Sequence, residues 1–210
     1  MSQPESIERR SIELVAILRG LTPKRAPEVG AALVNAGFRT IEVPLNSPEP
    51  FDTIKLLAGA HGAQCLVGAG TVLSPTDVER VHQADGRLIV APNCDPAVIR
   101  RALALGMRVL PGIATATEAF TAIAAGATEL KLFPATTYGP RHLKALKSVL
   151  PKHVKIYPVG GIGSQDMAEW LSSGADGFGF GSELFTPAYT LAELTTRAQA
   201  LIEAAAAAHR

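Results

Sequence analysis

Short apolar runs alternate with longer amphipathic segments along almost the whole chain. Each run is followed by a stretch rich in alanine and leucine, in which apolar side chains recur every three or four residues. The short runs predict β-strands, and the longer stretches predict α-helices. We expect eight strands, at residues 13–18, 39–45, 64–70, 87–92, 107–112, 128–134, 154–161 and 175–181.

Proline and glycine agree with these boundaries. Proline is favoured in the first turn of a helix, and glycine is favoured just past its end. Prolines stand near predicted helix starts at Pro23, Pro75 and Pro96, and glycines follow predicted helix ends at Gly37, Gly106, Gly126 and Gly174. The alanine-rich segment 191–209 favours a long last helix.

The order of these elements predicts the fold class. Near-continuous apolar strands joined by helices are typical of a parallel sheet that helices cover. Eight strand–helix units with no linker between them predict one α/β domain over residues 1–210, a (β/α)8 TIM barrel. We expect the segment before Leu14 to form a short N-terminal helix. A doubly wound open sheet is the structural alternative.

Composition and charge exclude several classes of protein. With 47% hydrophobic and 19% charged residues the chain can bury a large core. A net charge of +1, without a dense run of Lys and Arg, argues against a nucleic-acid partner. No apolar run is long enough to span a membrane, and the polar N-terminus lacks the apolar stretch of a secretion signal. Cys65 and Cys94 are far apart, which argues against disulfides and cysteine metal sites and favours a cytoplasmic location.

One lysine stands inside an apolar predicted strand, in the segment ELKLFPA at residues 129–135. Strand alternation places Lys131 on the face opposite Leu130 and Leu132. If the leucines face the helices, Lys131 points into the barrel, where desolvation lowers the pKa of its ammonium group. A neutral lysine amine can attack a ketone and form a Schiff base, so one interpretation of Lys131 is a catalytic nucleophile.

Glu42 raises the same question in the apolar segment TIEVPL. A carboxyl group in an apolar wall has a raised pKa and can exchange protons near neutral pH. The alternative interpretation is structural for both residues: Lys131 would form an ion pair with Glu42 or Glu129 that fills the interior. The spacing of these residues leaves both interpretations open.

Polar residues and glycines at the other strand ends complete the candidate site. In a barrel of this kind, chemistry takes place at the carboxyl ends of the strands, and the loops after strands seven and eight often bind phosphate. The first and third strands end at Arg19 and Thr71, and the last two end at Gly160, Gly161, Gly181 and Ser182. The histidines show no metal-ligand spacing, so we expect neither a metal nor a cofactor.

Six segments together resemble a known family, the class I aldolases of 2-keto-3-deoxy-6-phospho sugar acids. They occur in the family's order and span almost the whole chain: VAILRG (15–20), IEVPLNSP (41–48), VGAGTVL (67–73), PGIATATEA (111–119), KLFPA (131–135) and VGGI (159–162). The resemblance implies a (β/α)8 barrel, usually a homotrimer, that needs no metal. Such enzymes cleave a phosphorylated keto-acid to pyruvate and glyceraldehyde 3-phosphate.

The resemblance also implies roles for the candidate residues. Lys131 would form the Schiff base, and Glu42 would transfer protons. Arg19 and Thr71 would contact the keto-acid end of the substrate. The phosphate loop would consist of Gly160, Gly161, Gly181 and Ser182.

Two details resemble the galactonate branch of this family. The gluconate branch often carries Glu-x-Thr-x-Arg-Thr in the second strand and Thr-Gly-Gly-Ile in the seventh. Here the corresponding segments read EVPLNS (42–47) and VGGI, so Asn46 replaces the arginine and Val159 replaces the threonine. The alternatives are the C4-epimeric gluconate substrate, a phosphosugar isomerase or epimerase, and a non-catalytic sugar-phosphate sensor.

Overall fold

The computed structural model describes residues 12–208, and the predicted N-terminal helix lies outside them. Nine strands are present in this range: β1 (Glu13–Ile17), β2 (Thr40–Pro44), β3 (Leu66–Gly70), β4 (Leu88–Val90), β5 (Arg108–Leu110), β6 (Gly112–Ile113), β7 (Glu129–Leu132), β8 (Lys155–Pro158) and β9 (Gly177–Phe180). Eight α-helices follow them: α1 (Ala26–Ala36), α2 (Pro50–His61), α3 (Pro75–Gln83), α4 (Pro96–Ala104), α5 (Ala116–Ala124), α6 (Ala135–Val149), α7 (Met167–Ser172) and α8 (Leu191–Ala208). A 3-10 turn at Ser164–Asp166 precedes α7.

All strand pairs are parallel, and their spatial order follows the sequence. One sheet has the order β5-β4-β3-β2-β1-β9, and a second has the order β6-β7-β8. A single bridge between Val159 and Gly179 joins the end of β8 to β9. The chain is therefore an α/β domain in which the last strand returns beside the first, unlike the doubly wound alternative.

At one of the two junctions between the sheets, the fifth predicted strand, 107–112, is divided. Pro111 lies between β5 and β6 and has no N–H group to donate to a ladder. Its carbonyl accepts a hydrogen bond from the N–H of Lys131 at 2.9 Å. The chain thus changes partner at this point, since β5 pairs with β4 and β6 pairs with β7.

Helix caps and glycine turns hold the connections. The side chains of Ser74, Asp95 and Thr115 accept N–H hydrogen bonds at the starts of α3, α4 and α5. Gly37 ends α1 with a φ of 116°, a conformation that favours glycine. Within residues 12–208, no helix is long and apolar enough to cross a membrane.

The core has an outer layer between sheets and helices and an inner layer between the strands. Leu130 and Leu132 are fully buried in the outer layer, as the alternation along β7 predicts. A separate inner cluster contains Leu88, Val90, Leu110 and Tyr157. Side chains on the inner face of a strand are therefore surrounded by other strands, which positions the candidate site.

A polar network, which we call the Arg108 network, occupies the amino-terminal ends of the strands. The guanidinium of Arg108 donates to Glu13 at 2.8 Å, to Glu129 at 2.9 Å and to the hydroxyl of Tyr157 at 3.0 Å. Burial raises the pKa of Glu13, but hydrogen bonds from Arg108, Thr40 and Tyr157 bring it below its ordinary value. The network joins β1 and β5 of one sheet to β7 and β8 of the other.

Candidate active site

A cavity of about 450 Å³ opens at the carboxyl ends of the strands. Eight of the nine predicted site residues line it: Arg19, Thr71, Lys131, Val159, Gly160, Gly161, Gly181 and Ser182. The ninth, Glu42, lies below the cavity floor. It borders a smaller void of about 10 Å³, which Lys131 and Val159 also line.

Lys131 forms the boundary between the two spaces. It lies on the inner face of β7, where it is paired in register with Gly112 and Tyr157 and is only 7% exposed. Burial lowers the pKa of its ammonium group, the negative charge of Glu42 raises it, and the charge of Arg19 lowers it further. A lowered pKa increases the fraction of neutral, nucleophilic amine at neutral pH.

Glu42 is the most deeply buried of the charged site residues, at 1% exposure. Its Oε2 atom has no hydrogen-bond partner within the described part of the chain. Burial raises the pKa of the carboxyl group to about 7, although the charges of Lys131 and Arg19 act in the opposite direction. Such a group can both accept and donate a proton near neutral pH.

Lys131 makes no contact ion pair with Glu42 or Glu129, although the charges of Lys131 and Glu42 affect each other's pKa. Among residues 12–208, Lys131 has no carboxylate oxygen within 4.0 Å, the limit for a salt bridge. Glu129 instead belongs to the Arg108 network at the opposite end of the strands. The nearest cation–π neighbour of Lys131 is the ring of Phe133, whose centroid lies 4.7 Å from Nζ.

Arg19 lies at the rim of the cavity and is held by the loop after β2. Its guanidinium donates a hydrogen bond to Oδ1 of Asn46. The next residue, Gly20, donates its backbone N–H to the hydroxyl of the buried Ser47 at 2.9 Å. The loop after β2 therefore holds a side chain that lines the cavity, and the other N–H groups of its guanidinium can donate to an anionic ligand.

Thr71 adopts an unusual backbone conformation at the end of β3. Its φ is 56°, in the left-handed region, which is uncommon for a β-branched residue and costs free energy. Strained residues of this kind cluster at functional sites.

The glycine loops form the opposite wall of the cavity. Gly160 and Gly161 have φ values of 105° and 75°, so this turn favours residues without a side chain. A Cβ at Gly181 would meet no atom within 4 Å, and Ser182 beside it is exposed. The wall therefore leaves backbone N–H groups and one hydroxyl accessible to a bound anion.

Sequence reasoning missed the apolar lining of the same wall. Phe185 and Pro187 border the cavity from the loop after β9. Phe185 is 3% exposed. This loop has no strand or helix periodicity, so no local pattern distinguishes these residues. Within residues 12–208, no group of three His, Cys, Asp or Glu side chains could hold a metal ion.

A family model described as "Aldolase: KDPG and KHG aldolase" matches residues 7–198. The chain belongs to this family. The 2-dehydro-3-deoxy-6-phosphogalactonate aldolase of Escherichia coli is 44% identical over 92% of this chain and 94% of its own length. A probable enzyme of the same name from Rhizobium meliloti is 46% identical over 91% of this chain and 90% of its own. The family resemblance of the sequence motifs is confirmed.

Solved structures agree with this family assignment. A structure described as native KDPGal has a TM-score of 0.92 at 42% identity and covers 99% of this chain and 98% of its own. The Legionella pneumophila KDPG aldolase, with pyruvate captured as a covalent carbinolamine, has a TM-score of 0.79 at 25% identity and covers 95% of each chain. A designed protein cage built from fused symmetric oligomeric domains has a TM-score of 0.93 at 43% identity and covers 95% of this chain and 74% of its own.

Proposed function

We propose that this chain is a class I aldolase that cleaves 2-dehydro-3-deoxy-6-phosphogalactonate to pyruvate and D-glyceraldehyde 3-phosphate. One observation carries the proposal: Lys131 is buried at the floor of an open cavity without a contact ion pair, beside a carboxyl group whose pKa is about 7. The galactonate aldolases that share 44% and 46% of its residues support the choice of substrate.

The first chemical step is formation of an imine. The neutral amine of Lys131 attacks the C2 ketone of the substrate and gives a carbinolamine. Addition of a proton and loss of water then leave a protonated imine, whose positive nitrogen can accept an electron pair. The lowered pKa of the ammonium group favours this step, because burial destabilises the charged form.

Cleavage then requires a base for the C4 hydroxyl. Glu42, acting directly or through a water, takes this proton while the C3–C4 bond breaks. The bonding electrons flow into the imine and form an enamine, and the C4 fragment leaves as the aldehyde. Glu42 returns the proton to C3 of the enamine, and hydrolysis releases pyruvate and regenerates Lys131.

The two ends of the cavity would hold the two charged ends of the substrate. Arg19 pairs with the keto-acid carboxylate, and the hydroxyl of Thr71 contacts the same end. The phosphate lies against Gly160, Gly161, Gly181 and Ser182. Binding energy from this remote phosphate positions the C3–C4 bond over Lys131.

Three further assignments belong to the proposal. We infer that the two sheets act as one closed (β/α)8 barrel, which the Val159–Gly179 bridge and the Arg108 network support. We infer a homotrimer, in line with the symmetric oligomeric domains of the cage relative. The cytoplasmic location stays a prediction from the sequence.

Trapping with pyruvate and borohydride tests the function directly. Reduction of the imine should attach one adduct per chain, and peptide mass spectrometry should map it to Lys131. The Lys131→Arg variant should fold but form no adduct and cleave no substrate, because a guanidinium group cannot form the imine. Lys155→Arg is the matched control, since Lys155 also lies on a strand, β8, but forms an ion pair with Glu129. This variant should still form the adduct at Lys131.

The same experiment separates the competing functions. A phosphosugar isomerase or epimerase, or a sugar-phosphate sensor, would form no reducible imine with pyruvate. An adduct on another lysine, or none on Lys131, would overturn the aldolase mechanism.

A further inference from the structure

The carboxyl group of Glu42 occupies a space that one residue of the neighbouring strand leaves empty. Strands β2 and β3 pair in parallel, with Glu42 opposite Gly68 and Pro44 opposite Gly70. The Glu42 side chain extends along the strand direction and lies against Gly70. A Cβ atom at Gly70 would lie 2.0 Å from Oε2, 2.3 Å from Cδ and 2.3 Å from Oε1 of Glu42.

These distances are far too short for any real Cβ contact. Moreover, the three nearest atoms all belong to the one carboxyl group. The space beside Gly70 is therefore filled by the reacting part of Glu42. At other strand glycines the nearest atoms differ: at Gly68 they are backbone atoms of Leu88, and at Gly179 they belong to Val159 and Ile17.

Backbone conformation does not account for a glycine at this position. Gly70 is the last residue of β3, paired with Pro44, and its φ is outside the left-handed region that favours glycine. A glycine in a strand normally weakens its pairing, because it packs no side chain and loses more entropy on folding. The lack of a side chain at Gly70 is therefore best explained by the space that it leaves for the Glu42 carboxyl group.

Hydrogen bonding does not account for the position of the carboxyl group either. Oε2 of Glu42 is buried and has no partner among the described residues. The close fit beside Gly70, together with the charges of Lys131 and Arg19, therefore holds the carboxyl group at this point, with the small void of about 10 Å³ beside it.

We propose that Gly70 is a positioning residue for the acid–base step, because its missing side chain admits the Glu42 carboxyl group to its place beneath Lys131. The inference rests on the proposed function, in which Glu42 transfers protons. An alanine at this position would displace the carboxyl group and leave Lys131 in place. The substitution should therefore impair proton transfer but leave imine formation at Lys131 intact.

The test compares Gly70→Ala, Glu42→Gln and the double variant, with Gly59→Ala as the control. Gly59 is exposed on α2, and a Cβ there would meet nothing within 4 Å. Gly70→Ala should lower kcat roughly a hundred-fold or more, the range of a lost general acid–base. It should slow deuterium exchange of the pyruvate methyl group in parallel, while trapping with pyruvate and borohydride still labels Lys131. Gly59→Ala should behave like the wild type.

The double variant distinguishes a shared role from general damage. If Gly70 acts through Glu42, adding Gly70→Ala to Glu42→Gln should lower kcat by less than about threefold, whereas independent effects would multiply. A multiplied loss, or a wild-type rate in Gly70→Ala while Glu42→Gln is impaired, would overturn this inference alone. A wild-type rate in Glu42→Gln would overturn the proton-transfer role and the inference together.

A stability measurement keeps the proposal testable if Gly70→Ala folds poorly. Glu42→Ala removes the carboxyl group that the new methyl group would meet. Gly70→Ala should therefore lower the melting temperature less in the Glu42→Ala background than in the wild type. An equal fall in melting temperature in both backgrounds would show that something other than Glu42 requires the glycine. An insoluble protein carrying both Gly70→Ala and Glu42→Ala would show the same.

Discussion

Lys131 and Glu42 share one apolar interior, and burial favours the neutral form of each. The folded carboxyl group of Glu42 has a pKa of about 7, against an ordinary value of 4.5. Between these two values the folded protein holds a proton that the unfolded chain has released. Stability therefore falls as the pH rises through this window, and a shift of this size corresponds to roughly 3 kcal/mol.

Glu42→Gln should remove this loss of stability. We expect the melting temperature of the variant to rise relative to the wild type as the pH increases from about 5 to about 8. Thermal unfolding at a series of pH values measures this difference. A difference in melting temperature that stays constant with pH would show that the Glu42 carboxyl group is not held neutral in the fold.

Val159 is the residue at which we expect the two substrate epimers to be distinguished. The galactonate and gluconate forms differ in the configuration of the C4 hydroxyl, and Val159 offers the cavity an apolar wall. Val159→Thr adds a hydroxyl group of nearly the same shape. One neutral hydrogen bond is worth about 0.5–1.5 kcal/mol, so the ratio of kcat/KM should move towards the gluconate form by roughly tenfold.

Cleavage assays with both pure substrates, coupled to pyruvate release, measure this ratio. Val159→Ala is the matched control, since it removes the apolar wall without adding a hydroxyl group and should leave the ratio near that of the wild type. A wild-type protein that prefers the gluconate form would contradict the assignment to the galactonate branch, while the roles of Lys131 and Glu42 would stand.

At the scale of single residues, the sequence could predict what depends on local pattern. Lys131 and Glu42 could be predicted as site residues because each places a charge within an apolar strand. Strand alternation then predicts which face of the sheet the side chain occupies. Gly70 could not be predicted in the same way, since its contact with Glu42 depends on the register between β2 and β3. The Asn46–Arg19 hydrogen bond likewise joins residues that are distant in the sequence.

At the scale of strands and helices, pattern predicts where each element is but not how it pairs. All eight expected strands are present, yet the fifth divides at Pro111 into β5 and β6, each with its own neighbour. The Arg108 network was not predicted, because Glu13, Arg108, Glu129 and Tyr157 lie on four separate strands. These four residues meet only once the strands are arranged side by side.

Arg108 should stabilise the fold without taking part in catalysis. Arg108→Met keeps most of the side-chain volume but leaves the carboxylates of Glu13 and Glu129 without their guanidinium partner. Removing one partner of a largely buried ion pair typically costs about 3–5 kcal/mol, and the partial exposure of this network favours the lower end of that range. Denaturant unfolding measures the loss.

The activity of the Arg108→Met protein that remains folded tests whether the Arg108 network affects the cavity at the opposite end of the strands. Imine trapping and kcat per folded chain should stay near wild-type values in Arg108→Met, because the network lies at the amino-terminal ends and the cavity at the carboxyl ends. A large fall in kcat with unchanged stability would indicate that the Arg108 network acts on the catalytic residues after all.

At the scale of the whole molecule, the proposed assembly gives the last prediction. One chain has a mass of 22.0 kDa, so a homotrimer should have a mass of about 66 kDa by size-exclusion chromatography with light scattering. Large apolar side chains remain exposed on the single chain, among them Leu73 at 53% and Phe120 at 46%. A stable closed trimer would bury some of this surface, since obligate interfaces are more apolar than the rest of the surface. The mass should therefore persist on dilution and at high salt, which weakens charged contacts more than apolar ones. A mass near that of one or two chains would contradict the trimer and leave the imine chemistry of the single chain untouched.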